Sequence, residues 1–168
     1  EGEPYAEAIA IWEPLYAELD ADRRWKLRYN LGLAHQAAGD ATAAAAHFEG
    51  FVRHVASLAT ELPAALEERR EDAAARLAAL RARHGQIELP ARANVSVSID
   101  GGPMRPVGFV ALLAPGRHQL VLRRGEASVT HDVEAVAGER ISLPTVVPVP
   151  TSPEPAPPAP VADAAPPA

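Results

Sequence analysis

The chain echoes itself at a fixed distance. A shift of thirty-six residues lays Ala8 on Ala44, Trp12 on Phe48, Pro14 on Gly50, Leu15 on Phe51, Tyr16 on Val52 and Leu19 on Val55. Small and large residues recur in order, and Pro meets Gly at the same helix-weakening place, so abundant alanine does not account for the match. A period of this length marks units that cannot bury their apolar faces alone and stack in order to do so.

One unit is legible in full. From Arg24 to Ala38, the residues Leu27, Leu31, Ala34 and Ala38 fall at helical spacing, and Gly39-Asp40 ends the run. Asp40 is placed to cap a second helix from Ala41 to about Leu58, with Ala44, Phe48, Phe51, Val52 and Val55 on one stripe. The pair is therefore expected to fold back as a helical hairpin, and Gly32, Ala34 and Ala44 are small enough to let the two backbones approach closely. A further helix, Leu62 to His84, carries Leu66, Ala73, Leu77 and Leu80 on one side and reads as a cap over the last hairpin. Its Glu67, Glu68, Arg69, Arg70 and Arg81 read as a solvated face.

At Gly85 the character changes. Alternating Val, Ile and Leu are punctuated by Asp100-Gly101-Gly102, Pro115-Gly116, Gly125 and Gly138, which is strand and turn chemistry. From Pro144 onward Pro and Ala dominate, a composition that favours extended polyproline II and reads as a semi-rigid linker. The expected class is α+β in two modules: a helical repeat region with its capping helix over 1–84, a small antiparallel β-sandwich over 85–147, and a disordered Pro-rich tail over 148–168.

Two stretches resemble known families. Tyr29-Asn30-Leu31-Gly32, Ala34-His35, Gly39-Asp40, Ala44 and Phe48 resemble a tetratricopeptide repeat, and Pro4 to Ile9 followed by Trp12 resembles the second helix of a preceding one. Arg28 stands where that family places a bulky apolar residue, Phe51 replaces a usual Ala, and a spacing two residues long implies an extended connection after Leu19. The resemblance also implies further repeats before Glu1 and a bare apolar edge on the first helix. Pro90, Ala93, Val95, Val97, Ile99, Asp100-Gly101 and Leu113 to His118, closed by Val133 to Leu143, resemble a PEGA domain, with Arg92 where its eponymous motif has Gly.

Catalytic chemistry is sparsely represented. There is no nucleophile elbow, phosphate-cradling glycine loop or metalloprotease helix. Of six histidines, His47 and His54 lie two helical turns apart with no carboxylate motif to complete a metal shell, and His35 fills a position explained by packing. Asp100-Gly101-Gly102 lacks the alternating oxygen ligands of a calcium loop and reads as a turn, and Asn94-Val95-Ser96 reads as a chance acceptor spelling. No catalytic residue, metal or cofactor is expected. A net charge of -6 and a pI near 5.5 disfavour nucleic acid as a partner. Fifteen arginines stand against one lysine, a bias attributable to coding composition. Without cysteine there is no disulfide framework, which leaves the compartment open.

A protein-binding surface is the expected site. Lys26, Tyr29, Leu33, Gln36 and Ala37 share one stripe of the hairpin's first helix, and Lys26, Tyr29, Leu33 and Gln36 are the candidates for holding a peptide segment of a partner, unless upstream repeats or the capping helix cover them. The resemblances imply a non-enzymatic scaffold or adaptor in a bacterial cell envelope, attached to the membrane only through an anchor outside this stretch. The alternatives are a cell-wall or glycan-binding module acting through the β-domain, against which its lack of Trp and Tyr argues, or a regulatory appendage of a larger signalling enzyme.

Overall fold

The computed structural model describes residues 3–58 and 61–147. The Pro-rich tail expected over 148–168 lies outside the described residues. Four helices come first, α1 (Glu3–Glu18), α2 (Ala21–Ala37), α3 (Ala41–Ala56) and α4 (Ala64–Arg83). Seven strands follow, β1 (Gly85–Leu89), β2 (Ser96–Ile99), β3 (Arg105–Pro106), β4 (Phe109–Leu113), β5 (Gly116–Arg124), β6 (Ala127–Ala135) and β7 (Arg140–Ser142). The fold is α+β, helical first and β-rich second.

The hairpin of α2 and α3 turns where the sequence places it. Gly39 takes φ +85°, a left-handed conformation that suits glycine, and Asp40 caps α3 by accepting from the Ala43 N–H at 2.9 Å. Gly32 lies against Phe48: a Cβ built on it would stand 2.6 Å from the ring. Phe48, Phe51 and Val55 are buried with Ala73, Leu77 and Leu80 of α4, and Trp25, Tyr29 and Leu33 pack half-buried against them. Each buried Phe contributes about 1.5–3 kcal/mol relative to an exposed one. Arg28, the departure from the apolar pattern, is accommodated by a second small residue, since its guanidinium lies over Gly50.

The connection expected to be extended after Leu19 is instead only Leu19-Asp20. The extra residues join the first turn of α2, where the Asp20 carbonyl accepts from the N–H groups of Arg23 and Arg24. Arg24 also reaches back to donate to the Leu19 and Ala17 carbonyls at 2.7 and 3.0 Å. A cation satisfying the last carbonyls of α1 makes a tight corner stable without a longer loop. The bare edge expected on α1 is present, with Ile11 61 % and Leu15 46 % exposed, although Phe51, the counterpart of Leu15, is buried.

The strands form two sheets, ordered β4-β1-β7 and β3-β2-β5-β6. Ile87, Leu89, Ala111 and Leu113 of the first face Val97, Leu120, Leu122, Val133 and Ala135 of the second in one core. All the ladders are antiparallel except β1 with β7, which pair parallel from Gln86↔Arg140 to Glu88↔Ser142. Asp100 and Gly101 both take positive φ in a tight turn closed by the Gly102 N–H to the Ile99 carbonyl at 2.9 Å. Packing continues past Pro144: Thr145 and Val147 are buried, and the Thr145 hydroxyl donates to the Pro90 carbonyl.

The helices and the sandwich share a core. Strand alternation turns Ala111 and Leu113 into the sandwich and Val110 and Leu112 toward α3, where Leu112 joins the helical cluster. Thr42, in the first turn of α3, accepts from the Leu112 N–H at 2.9 Å and donates to its carbonyl at 3.3 Å. The edge strand β4 is thereby stitched to a helix through both backbone groups of one residue.

Candidate functional site

The stripe expected to bind a partner is partly engaged within the chain. Lys26 is exposed, but the Tyr29 hydroxyl donates to Asp72 Oδ2 at 2.8 Å and Gln36 Oε1 accepts from Arg76 Nη1 at 3.2 Å, both on α4. Arg76 Nε also donates to Asp72 at 2.6 Å, which holds that carboxyl below its usual range. Burial, with the Asp72 hydrogen bond next, raises the Tyr29 phenol. Leu33 packs against the helical core. The four residues share a face as expected, and α4 occupies much of it.

A different surface gathers more chemistry. Between α3, the end of α4 and the outer face of the β4-β1-β7 sheet lies a cleft of about 450 Å³, edged by Arg28, Arg53, Arg81, Arg105 and Arg140, with Glu49 the only acidic residue among the described residues that line it. Ala45, Val110 and Leu112 supply its apolar floor. Arg81 pairs with Glu49 at 3.1 Å and Arg140 with Glu88 at 3.2 Å. Among the described residues, Arg28, Arg53 and Arg105 have no acidic side chain within ion-pairing distance. Arg105 stacks on Phe109 at 4.1 Å, and burial lowers its pKa against the opposing pull of the Asp40 charge. Because both backbone groups of Leu112 point to Thr42, the strand period turns those of Val110 to the same side, toward the cleft that Val110 lines.

Two histidine groups attract attention. His118 Nδ1 donates to Asp100 Oδ2 at 2.7 Å and His118 Nε2 to the Ala114 carbonyl at 2.7 Å. With both ring nitrogens donating, the imidazolium is the favoured state and no lone pair remains for base catalysis. Burial opposes that charge, but the Asp100 and Ala114 hydrogen bonds and the charges of Asp100 and Glu134 outweigh it and raise the pKa. The pair is a structural clamp on the Asp100 turn, whose other carboxyl oxygen accepts from the Gln119 N–H.

The second group joins three helices. His35 of α2 and His47 of α3 stack at 5.3 Å between centroids, and both Nε2 atoms donate to Oε1 of Glu13 on α1, at 3.0 and 3.1 Å. Both rings are about nine-tenths buried, whereas the Glu13 side chain is 40 % exposed. Burial raises the Glu13 carboxyl, but the two imidazole donors outweigh it and leave the pKa lowered. Burial, helped by His35 and Arg28, lowers His47 against the pull of Glu13. The pairing weighed from sequence, His47 with His54, does not form, because His54 stacks on Trp25 at 5.1 Å. His35 and His47 lie on opposite arms of the hairpin that turns at Gly39-Asp40, so the hairpin itself is the sequence signal that can bring them together.

Comparison with known proteins adds no assignment: no family model, curated protein or solved structure matches the chain.

Proposed function

We propose that the chain is a non-enzymatic scaffold that holds an acidic, extended segment of a partner protein in the arginine-lined cleft. The observation that carries this reading is the convergence of five arginines on one apolar-floored cleft in a chain of net charge -6. Charge complementarity steers such a partner in, and the outward N–H and C=O of Val110 offer an extended backbone its hydrogen bonds. The tetratricopeptide-like hairpins and the PEGA-like sandwich are the two walls of the binding site rather than separate binders. The place we propose for it, a bacterial cell envelope with attachment through an anchor outside this stretch, is supported by the resemblance of the module order alone. No helix among the described residues is long and apolar enough to cross a membrane.

The test is fluorescence anisotropy with a labelled decapeptide alternating Glu with Val or Leu, against a Lys-for-Glu control. Binding is expected for the acidic peptide only, to weaken with added salt, and to fall at least about tenfold in the Arg53→Glu/Arg105→Glu variant. Equal binding by that variant, with its fold intact by circular dichroism, refutes the cleft as the site. The Lys26→Ala/Tyr29→Phe variant is expected to bind like the unmodified chain; loss there instead returns the site to the α2 stripe.

A further inference from the structure

We propose that Glu13, His35 and His47 form a binding site for a divalent transition ion of the zinc type, which ties α1 to the α2–α3 hairpin. One oxygen and two imidazole nitrogens, each from a different helix, lie within 4.8 Å of one another. The donor set is N₂O, borderline in softness and without thiolate, which suits Zn²⁺ and its d-block neighbours and is a poor match to Ca²⁺ or Mg²⁺. Bonds of about 2.0–2.1 Å to a tetrahedral ion put neighbouring donors roughly 3.3 Å apart. Oε1 already stands 3.0 and 3.1 Å from the two nitrogens, so small side-chain shifts make room for the ion in place of the two shared protons.

Two features favour an ion over a plain hydrogen-bond cluster, the sharing of one oxygen by both rings and the carboxylate behind His35. Both rings spend Nε2 on a single oxygen, although a carboxylate has two to offer. On His35 the far nitrogen faces Asp40 Oδ2 at 3.9 Å, the carboxylate behind imidazole that commonly orients a metal-binding ring. Against these stands one cost: with Nε2 on the ion the His47 ring carries its proton on Nδ1, which is buried without a partner, so His47 is the weaker of the two imidazole ligands. Arg28 is the opposing cation nearby, and the charge of Glu13 offsets it. With Glu13 the most exposed of the three, the fourth position opens toward solvent and suits a water molecule.

The experiment is calorimetric titration of ZnCl₂ into the full chain, prepared without a polyhistidine tag and stripped with chelator, alongside Glu13→Gln and His35→Gln. One equivalent is expected to bind, with affinity falling at least about 100-fold in each variant. Absence of saturable one-to-one uptake, or undiminished uptake by folded variants, overturns the site. Should the variants fail to fold, the unmodified chain still decides: Zn²⁺ must shift the ring resonances of His35 and His47, among the six histidines, and raise the melting temperature with concentration. Shifts confined to other histidines, or a melting temperature indifferent to Zn²⁺, refute it.

Discussion

Gly32 and Gly50 sit in facing helices of one hairpin, and replacing each by alanine is expected to act in opposite directions. In isolation either change favours the helix by about 1 kcal/mol, because alanine loses less backbone entropy. At Gly32 the added methyl would stand 2.6, 2.7 and 3.0 Å from three atoms of the Phe48 ring. That ring is fully buried among Ala44, Phe51 and the α4 contacts, so it cannot swing away, and overpacking of this kind costs about 1–3 kcal/mol. The close approach on three atoms argues for the upper part of that range, giving a net destabilisation of about 1–2 kcal/mol. At Gly50 the methyl would meet Arg28 Nη1 at 1.6 Å, but this is the free end of a flexible chain whose hydrogen bond to the Ala46 carbonyl is a long 3.4 Å. Displacing it sacrifices a few tenths of a kcal/mol, so Gly50→Ala is expected to range from neutral to about 1 kcal/mol stabilising. Urea denaturation reads both, with the melting temperature moving about 2–4 °C per kcal/mol. A Gly32→Ala protein as stable as the original would refute the close packing of α2 on α3. Restoring it by adding Phe48→Leu to Gly32→Ala is the matching positive result, since the smaller side chain frees the methyl's space.

Two other perturbations probe the β-domain and its junction with the helices. The His118–Asp100 clamp has opposite signs at its two ends: His118 is raised, so its contribution is full below about pH 6.5 and disappears as pH climbs through the folded value, whereas Asp100 is lowered, chiefly by the His118 hydrogen bond, so its contribution is full above about pH 3.9 and disappears as pH falls through the folded value. With Asp100 half exposed, screening holds the clamp to a few tenths up to about 1 kcal/mol. The stability gap between the unmodified chain and His118→Gln should therefore be widest near pH 5–6 and close toward pH 9, and a gap that grows with pH contradicts the assignment. Thr42→Val keeps the side-chain volume and strands both backbone groups of Leu112, which should cost about 1–3 kcal/mol, while Thr42→Ser should cost less than about 1 kcal/mol; equal losses in urea titrations would mean that packing rather than the hydroxyl joins α3 to β4.

The readable parts of the chain are those whose signals are local. Gly39-Asp40 marks its own turn and cap, Asp100-Gly101 its own positive-φ turn, and the spacing of Ala44, Phe48, Phe51 and Val55 its own buried stripe. Where the outcome depended on a distant residue the sequence misled or fell silent. The corner after Leu19 is short because Arg24 turns back to Leu19 and Ala17, a contact that no propensity records. Tyr29 and Gln36 do share a helical face, but whether that face was free depended on Asp72 and Arg76 some forty residues on. Packing accounts for the place of His35 in the repeat, and its burial agrees, yet its Nε2 meets a carboxylate of α1 that only the stacking of three helices brings near.

The same distinction explains why the proposed binding cleft escapes a reading of the chain in order. Its arginines come from α2, α3, α4, β3 and β7, and each viewed locally is a solvated surface charge. They converge because α4 passes into β1 with only His84 between them, so the sheet must lie close beside the helix that leads into it. The Gly138 N–H to the His84 carbonyl at 3.1 Å pins the closing strand at that corner. Gly85 fixes the corner further: a Cβ there would meet Ala135 at 2.8 Å, so β6 can run against the start of β1 only while this residue lacks a side chain. Gly85 thus sets how near β6 lies to the start of β1, while the chemistry of the cleft beside them is supplied by residues spread over more than a hundred positions.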